Sequence, residues 1–89
     1  MNLRKLARGQ LCQIRLPGIC NRNPETTVLA HYRLSGLNGM GIKPNDLQGA
    51  WACSACHTAV DTDKQYALDF AFGVFRTQAA LIKMGAVKL

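Results

Sequence analysis

The stretch Ala52-Cys53-Ser54-Ala55-Cys56-His57 decides how this chain folds. Cys53 and Cys56 form C-x2-C, a spacing that lets one turn present two sulfurs to a single ion. Upstream, Cys12-Gln13-Ile14-Arg15-Leu16-Pro17-Gly18-Ile19-Cys20 supplies a second pair as C-x7-C, with Pro17-Gly18 providing the reversal between its cysteines. Two such pairs separated by a strand and a loop suit a tetrahedral structural zinc on Cys12, Cys20, Cys53 and Cys56.

The rest of the composition favours that reading. At 89 residues the chain is expected to be a single domain over 1–89, near the size where an apolar core alone leaves stability marginal. The hydrophobic fraction of 48% marks it as globular, and a domain this small commonly needs a staple. The opening residues carry scattered charges, with no signal-peptide pattern and no membrane-length apolar run. A cytoplasmic location in a bacterial host cell is therefore the expectation, with no membrane partner. Reducing cytosol argues for metal over disulfides. Cys53-Ser54-Ala55-Cys56-His57 also matches c-type haem attachment, but that reading needs export and leaves Cys12 and Cys20 without a role.

Outward from the knuckles, the pattern is α+β. Leu11 to Leu16 alternates apolar and polar residues, as a short strand does, and Thr26 to Tyr32 is a β-branched and aromatic strand candidate. Residues 1–10 form a basic arm or a short helix. Residues 35–46 are rich in Gly, Asn, Asp and Pro and read as a long loop, which in so small a domain points to function. Ser54 is placed to cap a helix, and Asp63 to open a longer one over 64–84 that ends at Gly85. Along this helix Leu68, Phe72, Phe75, Ala79 and Ile82 share a face, broadened by Phe70, Val74 and Leu81. Such a face is expected to pack heavily. Core is the simpler destination, and the width of the face also allows a homodimer through this helix.

The net charge of +6 is uneven. Residues 1–33 hold Arg4, Lys5, Arg8, Arg15, Arg22 and Arg33 against Glu25, which points to a polyanion such as nucleic acid as partner. The chain has two histidines. His57 and Asp61, four apart on a helix, share a face and can hold a divalent ion through a nitrogen and an oxygen. His31, at a strand end, is placed to face that site and deprotonate a water for in-line attack on phosphorus. Singly, His57 reads as an alternate zinc ligand and His31 as a core histidine. Beside the basic charge and the cysteine knuckles, the hydrolytic reading is the stronger.

A histidine at a strand end, a loop with Asn or Asp, and C-x-x-C-H opening a helix resemble the HNH nucleases (ββα-metal, His-Me finger). More narrowly, the order resembles the YbcO-type nucleases of phages and prophages. The carrying residues are Leu3-Arg4-Lys5, Ala7-Arg8-Gly9, Cys12-Gln13, Pro17-Gly18-Ile19-Cys20, Asn23-Pro24-Glu25-Thr26, Leu29-Ala30-His31, Lys43-Pro44 with Asp46-Leu47, and Ala52 to His57. The likeness covers most of residues 3–61 and weakens in the C-terminal helix.

The resemblance implies a small zinc-stapled ββα-metal domain with a long C-terminal helix. It implies His31 as general base, and Asn45 or Asp46 as the residue that orients it or braces the loop. His57 and Asp61 would be ligands of a catalytic Mg²⁺ or Mn²⁺. Many HNH proteins carry Asp or His just before the base, where this chain has Ala30. The function expected is metal-dependent DNA endonuclease activity; the alternative is a non-catalytic zinc module that binds DNA or a partner protein. With DNA as ligand, Arg4, Lys5, Arg8, Arg15 and Arg33 are the expected phosphate contacts.

Overall fold

The computed structural model describes residues 2–32 and 45–88. Its elements are α1 (Leu3–Ala7), β1 (Val28–His31), β2 (Gly49–Ala52), α2 (Ser54–Thr62) and α3 (Ala67–Lys83), with 3₁₀ turns at Pro24–Thr26, Asp46–Gln48 and Lys64–Tyr66. The result is a small α+β molecule with a two-stranded antiparallel sheet and a long C-terminal helix. Residues 35–44 of the loop expected at 35–46, together with Arg33, lie outside the described residues.

Val28 pairs with Ala52, Leu29 with Trp51, Ala30 with Ala50 and His31 with Gly49. Alternation along the strands gives the hairpin two buried faces. Ala30, Ala50 and Ala52 face one core with Ile14, Leu16, Cys53, Cys56, Phe70 and Val74. Leu29 and Trp51 face another with Ala7 and Leu81, flanked by Leu3 and Leu6. Small alanines on the first face let the knuckles and helices approach closely. The outer edge of β2 is also covered. Gln13 N–H donates to Trp51 O at 2.7 Å, and Trp51 N–H donates to Thr77 Oγ1 at 2.9 Å. A free strand edge is thus replaced by two fixed partners.

Two local expectations are corrected. Leu11 to Leu16 is not a strand, because Arg15 takes a left-handed backbone (φ 54°) that turns the chain back within the knuckle. Cys12, Gln13 and Ile14 are buried in succession instead of alternating, and Gln13 bonds to the sheet edge. The cap of α2 is Cys53, not Ser54, with Cys53 Sγ accepting from Cys56 N–H at 3.4 Å. Asp63 does open the last helical segment, accepting from Gln65 N–H ahead of α3.

The larger correction concerns α3. Its buried residues are Phe70, Gly73, Val74, Thr77 and Leu81. The row Leu68, Phe72, Phe75, Ala79 and Ile82, expected to be core, faces outward, with Leu68 65% and Phe75 63% exposed. The reason is how near the helix comes to its neighbours. A Cβ built on Gly73 would stand 2.8 Å from Ile14 Cγ1 and 3.3 Å from Ala50 Cβ. Only small residues fit that contact, so the bulky row is turned to solvent.

Candidate metal centre and cleft

The four sulfurs of Cys12, Cys20, Cys53 and Cys56 lie within 4.8 Å of one another, and all four cysteines are free thiols. Cys53 Sγ and Cys20 Sγ are 3.8 Å apart. A tetrahedron with zinc–sulfur arms of about 2.3 Å has edges of about 3.8 Å, so the donor set fits zinc in both chemistry and spacing. Local folding makes this possible. Pro17-Gly18 turns the first knuckle, and Cys20 N–H donates to Leu16 O at 2.9 Å to close it. Arg15 N–H points at Cys12 Sγ at 3.5 Å.

Burial raises the pKa of the Cys20 thiol, and burial drives that of Cys56 far higher still. Cys53 differs. Burial opposes its ionisation, but N–H groups of Cys56 and Asn21 outweigh it and bring the thiol to about 7. Without a cation, four clustered thiols cannot all be thiolates. With one, the cluster is a ready ligand set.

The histidines make two separate pairs with carboxylates. His57 Nε2 is 3.1 Å from Asp61 Oδ2, one turn apart on α2. His31 Nε2 is 2.9 Å from Asp46 Oδ1, which also sits 3.4 Å from Arg4 Nε. The His31 hydrogen bond, aided by Arg4 against partial burial, holds the Asp46 carboxyl below the usual carboxylate range. Asn45 has a different part. Its Oδ1 accepts from Leu47 N–H and its Nδ2 donates to Gln48, so it caps the turn that carries Asp46.

His31 and Asp61 border one open cleft of about 460 Å³, together with Tyr32, Val60, Lys64, Ala67 and Phe70. His57 reaches this cleft only through Asp61. Tyr32 and Lys64 were not singled out from sequence. Tyr32 is fixed by its ring against Phe70, with centroids 4.9 Å apart. Lys64 belongs to the turn opened by Asp63, and nothing in its local sequence signals a cleft. Ala30 is 1% exposed and packs with Cys53 and Cys56.

Arg4, Lys5, Arg8, Arg15 and Arg22 are all exposed. Arg4 is shared with Asp46. Arg15 is spent within the knuckle, where Nε donates to Cys12 O and Nη2 to Gln13 Oε1.

Fold and site together define a small α+β protein with a cluster of four cysteines close enough to hold a metal ion, and a cleft lined by a histidine and a carboxylate. The family described as "Putative nuclease YbcO" matches residues 1–86, and the chain belongs to that family. It is 53% identical over 93 residues to "Putative nuclease YbcO" of Escherichia coli (strain K12), covering 98% of this chain and 97% of that one. The same figures hold for "Putative nuclease ybcO" of Enterobacteria phage 82. The fold is similar to a solved structure titled "Structure of a putative bacteriophage protein from Escherichia coli str. K-12 substr. MG1655". The TM-score is 0.79 at 46% identity, over 94% of this chain and 100% of that one. Among the described residues no helix is long and apolar enough to cross a membrane.

Proposed function

We propose that this chain is a metal-dependent DNA endonuclease of the HNH (ββα-metal) type, stapled by a structural zinc. The observation that carries the reading is the cleft bordered by both His31 and Asp61, with His31 already held by a carboxylate at 2.9 Å. Asp46 fixes the Nε2–H tautomer of His31 and leaves Nδ1 unprotonated, the nitrogen that takes a proton from water. Water oxygen then bonds to phosphorus as the P–O bond to the leaving oxygen breaks, and that oxygen is protonated by solvent. His57 and Asp61 would hold Mg²⁺ or Mn²⁺, which when bound supplies Lewis-acid stabilisation of the charge on phosphoryl and leaving oxygens. Lys64, the cation on the cleft lining, offsets substrate charge there. Lys5, Arg8 and Arg33 contact phosphates along the duplex, and Arg4 contributes from its pairing with Asp46.

Ala30 favours a second reading. Where many HNH proteins place an acid or histidine, this chain has a buried methyl group, which leaves the ion fewer ligands. On that reading the protein is a zinc module that binds DNA, or a partner protein, without cutting it. Plasmid nicking in Mn²⁺ or Mg²⁺ separates the two. Wild type should nick, and His31→Ala should be slower by roughly 10²- to 10⁴-fold with zinc content unchanged. DNA binding with no nicking in either metal supports the second reading. Equal nicking by both proteins overturns His31 as base.

A further inference from the structure

The outward face of α3 has an order that exposure alone does not explain. Leu68, Phe72, Phe75, Ala79 and Ile82 recur at steps of four, three, four and three, the seam of a heptad. The four large members are 65%, 44%, 63% and 40% exposed in chain order. Scaling typical side-chain areas by these fractions gives roughly 400 Å² of contiguous apolar surface. A patch of that size is in the range that the largest apolar patch of a monomer reaches, and such patches are often functional.

We propose that this face pairs with the same face of a second copy, antiparallel about a two-fold axis. The seam is complementary to itself in that direction. With the axis near Thr77, Phe75 of one copy lies opposite the small Ala79 of the other, and Phe72 lies opposite Ile82. The end charges agree. Asp69 sits in the first turn of α3 and Lys83 in the last, so antiparallel pairing brings each carboxylate to the other copy's ammonium. Opposed helix dipoles favour the same direction.

Arg76 shares the flank of Asp69 and Lys83 and stands near the two-fold axis, where it faces its own copy and opposes the pairing that the end charges favour. Its Nη1 donates to Gln13 O at 2.8 Å, and its guanidinium lies 5.9 Å from the centroid of the Phe72 ring. Two such faces bury roughly 800 Å² of apolar surface in total, and the rim side chains bring the contact to the lower end of specific interfaces. An interface this small implies weak association that depends on concentration.

Sedimentation equilibrium on the zinc-loaded full chain tests this. The mass should rise from 9.7 kDa toward twice that value as concentration approaches about 0.1 mM. Phe75→Glu should weaken association by about 100-fold or more, with zinc content and circular dichroism unchanged because the ring is exposed. Lys83→Glu should weaken it less, and Asp69→Lys with Lys83→Glu should restore it. A wild type that stays at 9.7 kDa over this range overturns the proposal and leaves the face to a different protein. A dimer insensitive to Phe75→Glu overturns this seam. A Lys83→Glu defect not restored by Asp69→Lys overturns the antiparallel direction.

Discussion

At the scale of single residues, the cysteine cluster was legible, because thiol ligands come in pairs at telling spacings and the four sulfurs do converge. What one-dimensional spacing could not assign was the division of labour between Asn45 and Asp46. The fold gives Asn45 the cap of a turn and Asp46 the hydrogen bond to His31. Nor could it show that Arg15, basic in composition, is bonded within its own knuckle. Asp46→Asn examines the pairing directly. A carboxyl whose pKa is lowered by folding adds stability that is complete above its unfolded value, about 3.9, and is lost as pH falls through the folded value. The gap in urea midpoint between wild type and Asp46→Asn should therefore close as pH falls below about 4. Acid releases cysteine-bound metal from both proteins alike, so the gap carries the information. A gap that persists undiminished down to about pH 2 would contradict the assignment.

Elements were read correctly where periodicity was local and misread where a neighbour decided the outcome. The strand at Val28–His31, the helix after Cys53 and the stop at Gly85 follow from side-chain type, and φ at Gly85 is +79°. The buried face of α3 does not follow, because hydrophobicity ranks Phe72 and Phe75 above Gly73 and Thr77. Close approach to β2 reverses that ranking. Thr77, fully buried, accepts Trp51 N–H and donates to Gly73 O at 2.8 Å, tying helix to strand edge. Thr77→Val keeps the volume but leaves the Trp51 N–H buried without a partner, a loss of about 1–3 kcal/mol. Thr77→Ser retains the hydroxyl and should lose less. Thermal unfolding of the zinc-loaded proteins reads both, and equal stability of Val and wild type would show that the strand edge finds another donor or acceptor.

For the whole molecule, the cluster of sulfurs decides whether these elements stay together. The first core contains Cys12, Cys53 and Cys56 themselves, so the ligands are also packing residues against Ile14, Leu16 and Val74. Removing an ion from such a cluster leaves thiols crowded within 4.8 Å of one another in the middle of that core. Folding and zinc binding should therefore be one event, as in other small metal-stapled domains. The sign with pH follows from the ligands. Zinc takes thiolates, while burial keeps Cys20 and Cys56 protonated without it and Cys53 titrates at about 7. Loading at neutral pH must then release protons, those of Cys20 and Cys56 above all, and affinity must fall as pH falls. Titrating zinc into the chelator-treated chain in weak buffer measures the protons directly, with circular dichroism recording helix formation in the same sample. Helix signal that is already complete before zinc is added would separate the fold from the metal. Proton release near zero would remove the thiols from its coordination.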